Sequence, residues 1–151
     1  MKKQSAKLLE KCISMNRIIA DANVLISGLL WDGNEREILR LAARGEMELV
    51  ISLYILREVE NVLINKFGFD ENKSKEAIDF IRMISHDVVD VSEEEINECF
   101  NKLSDKEDVP VLASAIKAGC ILIIGDKKLL EEARRLIDVK DAKKGQTVNF
   151  K

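Results

Sequence analysis

Short, continuous apolar runs rich in Ile, Val and Leu recur along the chain, each separated from the next by a stretch with helical spacing. This alternation constrains the fold more than any other feature. Arg17 to Asp21, Met47 to Ile51 and Cys120 to Ile124 are too short for buried helices and do not alternate polar with apolar, so they read as strands covered on both faces. Between them, Glu35 to Arg44 has apolar residues at helical spacing and is followed by Gly45. Ser52 is suited to cap a helix over Leu53 to Asn65. Helices are also expected over Asn72 to Ile84, Asp108 to Ala118 (Pro110 in its first turn) and Lys127 to Leu136. Ser92 and Glu95 form a capping box for Glu93 to Leu103. Asp87 to Val91 and the region from Val139 supply further short strands. The expected architecture is a three-layer α/β/α sandwich with a central, mainly parallel sheet.

The 151 residues fit one domain, and 46% hydrophobic with 34% charged residues is a globular balance. Residues 1–16 read as an N-terminal extension and 17–151 as the domain. The extension is Lys-rich but lacks the apolar core of a signal peptide, and no run reaches the roughly 20 apolar residues that span a bilayer. Cys12, Cys99 and Cys120 have neither metal-knuckle nor redox-motif spacing, which points to free thiols in a reducing, cytoplasmic setting. His86 is the single histidine, so mechanisms needing two histidines and His-rich metal sites are excluded; it reads as a loop or strand-edge residue. A net charge of -3 argues against a basic coat for nucleic acid, so a polyanion would have to be held by a local patch or by bound metal.

What the chain has in plenty is acid placed where a parallel sheet puts ligands. Asp21 and Asp126 each follow a buried strand, and open parallel sheets bind ligands beyond the carboxyl ends of their strands. Taken singly, either aspartate is equally a turn residue or helix cap. Asp108, preceded by Asp105, stands at a helix N-terminus, where capping and ligation are both open to it. On the Leu53 to Asn65 helix, Glu58 and Glu60 border the apolar stripe on opposite sides, and periodicity does not choose between them. Carboxylates converging without basic partners repel one another unless some hold protons or a cation sits among them. Oxygen ligands suit Mg²⁺ or Mn²⁺ rather than Zn²⁺. Such an ion can bind a phosphate oxygen, activate water and steady a leaving oxygen, which allows phosphodiester cleavage without histidine.

At four places the sequence resembles the PIN-domain nucleases, among them the toxin ribonucleases of toxin–antitoxin pairs. Ile18 to Ser27, with Asp21-Ala22-Asn23, is similar to the family's opening strand and Asp-x-Asn signature; Ile51 to Val59 to its second motif; Asp105 to Ala115 to its third; and Leu122 to Leu130 to its fourth. The resemblance implies an acidic pocket of Asp21, Glu58, Asp108 and Asp126 that holds Mg²⁺ or Mn²⁺ and cleaves RNA. It selects Glu58 over Glu60 and makes Asn23, Ser27 and Asp105 supporting residues. An antitoxin partner and a homodimer are implied by the same resemblance. Two positions depart from the family pattern: Ala22 stands where a threonine is frequent, and Ile124 where a hydroxyl residue is frequent. Both remove hydrogen bonds that would orient metal ligands. A non-catalytic module binding RNA or protein is therefore a rival reading. A phosphoryl-accepting receiver or phosphatase is a second, disfavoured because Asp21-Ala22-Asn23 lacks the second aspartate of such nucleophile motifs. Lys127, after Asp126, is a candidate phosphate contact. Trp31, the single tryptophan, either stacks on a base or anchors a loop or dimer contact.

Overall fold

The computed structural model describes residues 17–125 and 127–133 and the strand segments 139–141 and 146–147; the 1–16 extension, Asp126 and the side chain of Lys127 lie outside the described residues. In chain order the elements are β1 (Arg17–Ala20), α1 (Ala22–Leu30), α2 (Asn34–Ala43), β2 (Glu48–Ser52), α3 (Leu53–Asn65), α4 (Glu71–Ile84), β3 (Asp87–Val89), α5 (Glu93–Cys99), a 3-10 turn (Lys106–Asp108), α6 (Val109–Ala118), β4 (Ile121–Ile124), α7 (Lys127–Ala133), β5 (Val139–Asp141) and β6 (Gln146–Thr147).

The strands form one sheet in the order β3-β2-β1-β4-β5-β6. The first five run parallel, and β6 closes the edge antiparallel to β5. Ile18, Ile19, Leu49, Val50, Ile51, Leu122, Ile123 and Ile124 are fully buried, as expected for strands covered on both faces. The chain steps outward from β1 to β2 to β3, then returns to the other side of β1 for β4 and β5. Parallel crossovers are right-handed, so this reversal places α1 to α4 on one face and α5 to α7 on the other. It also creates a switch point between β1 and β4, and a crevice outside the carboxyl ends there is where such sheets bind ligands. The backbone N–H of Asp21 donates to the Ile123 carbonyl at 3.2 Å and ties the two strand ends together.

Most expected elements form within a residue or two of their predicted bounds. The helix α1 was not anticipated: Ala22 to Leu30 is apolar on nearly every side, so it carries little amphipathic signal. Its burial between the sheet, α2 and α3 supplies the reason it forms. The expected Glu93 to Leu103 helix ends at Cys99, and the following segment turns away so that Leu103 enters the core.

Candidate active site

Asp21 leaves β1 and begins α1. Its Oδ1 accepts a 2.9 Å hydrogen bond from the backbone N–H of Val24, so the aspartate caps the helix while staying buried at the switch point. A carboxylate has two oxygens, and a capping bond through one is compatible with ligation.

The second acid is positioned by α3. Ser52, fully buried at the end of β2, accepts from the Ile55 N–H through Oγ at 3.0 Å and starts the helix. Ile55, Leu56, Val59 and Leu63 are buried and fix its rotation. Each such burial contributes about 1.5–3 kcal/mol, more than differences in helix propensity, so packing sets where Glu58 points. Glu58 is half-buried, and its carboxyl is held above the ordinary value of 4.5 first by burial and then by the nearby charges of Asp108 and Glu107. Glu60 is exposed and lines a separate groove with Leu53, Arg57 and Arg82. The two glutamates that periodicity leaves equivalent are thus distinguished by what they face.

Asp108 comes from the loop ahead of α6. It occupies the N-cap position, yet its side chain makes no capping bond; the capping role is filled one turn earlier, where Asp105 Oδ1 accepts from the Glu107 N–H at 3.0 Å. Asp108 therefore belongs to a 3-10 turn rather than to the helix start expected from sequence, because Pro110 and the Asp105 cap tighten the turn. Lys106 holds this loop by donating from Nζ to the carbonyls of Phe100 (2.7 Å) and Leu103 (3.0 Å). The N–H and Oγ of Ser104 donate to Glu132 on α7 at 3.0 and 2.7 Å, an arrangement that lowers the Glu132 carboxyl. The third-motif loop is thereby fastened to the helix that follows Asp126.

Tyr54 belongs to the same cluster and had no place in the sequence reading. Its hydroxyl donates to the Glu107 carbonyl at a long 3.4 Å. Burial, then Glu58, Glu107, Asp108 and Asp105, push its pKa up, so it remains a protonated donor among acids. The signal was available, since Tyr54 lies four residues before Glu58 on one helix face.

Asn23 and Ser27 line a pocket of about 410 Å³, shared with Trp31, Glu35, Phe67 and Gly125, the residue before Asp126. The two departures from the family pattern are core side chains: Ala22 and Ile124 are both buried, so a hydroxyl at either would be drawn from the interior. Among the described residues no three His, Cys, Asp or Glu side chains converge as a group able to hold a metal. The four-acid set includes Asp126, which lies outside them.

An α/β/α sandwich with buried and half-buried carboxylates at the carboxyl edge of a parallel sheet is a nuclease-type fold. The sequence matches the family model of the PIN domain over residues 17–143, and the chain belongs to that family. No curated protein matches it in sequence. Among the described residues no helix is long and apolar enough to cross a membrane.

Proposed function

We propose that the protein is a metal-dependent endoribonuclease in which Asp21, Glu58, Asp108 and Asp126 form the catalytic and metal-holding set. The observation that carries this reading is the half-buried carboxyl of Glu58, held above its ordinary value first by burial and then by repulsion from the charges of Asp108 and Glu107. A bound cation would relieve that repulsion, and an all-oxygen donor set fits Mg²⁺ or Mn²⁺. A divalent ion held there supplies Lewis-acid activation of the phosphodiester and charge neutralisation at the leaving oxygen. The chain's own groups do the rest. Glu58, whose carboxylate has two oxygens, could help hold the ion with one and take a proton from the attacking water with the other. The hydroxyl of Tyr54, kept protonated, can exchange its long bond to the Glu107 carbonyl for a phosphate oxygen. The water oxygen bonds to phosphorus, the P–O bond to the leaving strand breaks, and the leaving oxygen acquires a proton.

The test is cleavage of single-stranded RNA with Mn²⁺ or Mg²⁺. Asp21→Asn and Asp108→Asn are expected to lower the rate by at least about 10²-fold, while Glu60→Gln retains it. Cleavage that survives excess chelator, or Asp21→Asn, would overturn the mechanism. The burial of Ala22 and Ile124, which offers no hydroxyl near the acids, favours one alternative, a PIN module that binds RNA or protein without cutting. That module would bind RNA equally with and without Mn²⁺ and yield no products. A role as the toxin of a toxin–antitoxin pair, a homodimeric state and a cytoplasmic location belong to the same proposal. An adjacent gene for a small DNA-binding antitoxin would support the toxin role.

A further inference from the structure

The pocket lined by Asn23, Ser27 and Trp31 has no part in the chemistry assigned to the acids. Its volume of about 410 Å³ lies in the range of small-ligand sites. Trp31 closes α1 and is 55% exposed although it is the largest apolar side chain in the protein. It is held by an edge-to-face contact with Phe67, the ring centroids 5.8 Å apart and the planes at 69°. Such a pair leaves aromatic surface open, and every nucleobase presents a π-face to match it. Lys66 places its Nζ 5.7 Å from the centre of the Phe67 ring, bringing a cation to the same wall. Asn23 and Glu35 supply hydrogen-bonding groups. Its lining includes Asn23, two residues after Asp21 in sequence, and Gly125, one before Asp126.

We infer that this pocket is a nucleobase subsite, which takes one unpaired base of single-stranded RNA next to the scissile phosphodiester. The position of the strand rests on the ribonuclease reading above; the stacking chemistry does not. With a phosphodiester over the carboxylates, the neighbouring base reaches Trp31 and Phe67, Lys66 offsets backbone charge, and Asn23 and Glu35 meet the base edge. A paired base cannot stack there, so the subsite selects single strands over duplex.

Because the chain has one tryptophan, Trp31 emission reports the pocket alone. A single-stranded oligoribonucleotide is titrated into full-length Asp21→Asn protein, with and without Mn²⁺, and binding of the same labelled oligonucleotide is followed by anisotropy. Saturable quenching is expected, with duplex RNA far less effective. Trp31→Ala is expected to weaken binding about 5- to 100-fold, with Trp31→Phe restoring most of it and an unchanged melting temperature showing that the fold is intact. Emission that saturating RNA does not move, or equal binding by Trp31→Ala, would overturn the subsite and leave the pocket to a protein partner. Failure of the ribonuclease reading looks different: quenching persists while the wild-type chain yields no cleavage products in Mn²⁺.

Discussion

At the scale of single residues, Glu58 shows how a site works against the fold that carries it. Its carboxyl is held above 4.5 by burial and by Asp108 and Glu107. The folded state therefore binds this proton more tightly than the unfolded chain does, and the metal-free protein loses stability as pH rises through the window above 4.5. In chelator at pH 7, Glu58→Gln is expected to melt at a higher temperature than the wild type, and the difference is expected to vanish below pH 4.5. A thermal melt series over pH checks the sign, and a Glu58→Gln protein that melts lower at pH 7 would contradict it. Asp21 instead serves the fold. Its Oδ1 accepts from the Val24 N–H and caps α1, which leaves the second oxygen of the same buried carboxylate for the proposed site.

At the scale of elements, the placement of α1 against α2 decides the geometry of the pocket. A Cβ at Gly28 would lie 2.8 Å from Leu39 Cδ1 and 2.9 Å from the Glu35 carbonyl oxygen. The leucine could rotate, but the backbone oxygen could not yield without moving α2. Gly28→Ala is therefore expected to destabilise by about 1–3 kcal/mol, read from urea or thermal unfolding. It should also weaken RNA binding at the Trp31 pocket, because Trp31 and Glu35 flank this contact. Arg36 reinforces the junction by donating to the carbonyls of Gly28 and Leu29 at 3.0 and 2.9 Å, which satisfies the open end of α1. Other elements were legible from local chemistry alone. The Ser92–Glu95 capping box forms as the spacing predicts, each side chain accepting from the other's backbone N–H. Gly119 ends α6 in the left-handed region, where glycine is favoured. By contrast, α1 was illegible because periodicity reports a boundary between core and water, and a helix buried on most sides has none.

At the scale of the whole molecule, the reversal of strand order around β1 sets the carboxyl ends of β1 and β4 side by side, with Asp21 directly after β1 and at the edge where the metal is proposed to bind. Divalent metal binding to that edge is expected to stabilise the folded state. At a hundredfold excess of Mn²⁺ over its Kd the gain is about 2.7 kcal/mol, which for a domain of this size is a rise of roughly 5–10 °C in melting temperature. Asp108→Asn should abolish the rise while leaving the metal-free melt largely intact. A melting temperature indifferent to millimolar Mn²⁺ would remove the metal from the mechanism.

The sequence by itself determined the layers and which acids follow the strands. Short β-branched runs between helical stretches admit little except a covered parallel sheet, and Asp21 and Asp126 follow strands whatever the strand order. Periodicity alone left Glu58 and Glu60 equivalent, because it is symmetric about the apolar stripe; the motif resemblance chose Glu58, and only a neighbouring element gives that choice a physical basis. The 3-10 turn of Lys106–Asp108, fastened by Lys106, Ser104 and Glu132, supplies that neighbour and sets Asp108 near Glu58. The contacts of Tyr54 with the Asp105–Asp108 loop and of Trp31 with Phe67 likewise form only on folding, since they join residues on different elements. Side-chain types and local spacing carry chemistry along the chain; which of them meet is a matter of contacts between elements far apart in sequence, and those are decided by packing.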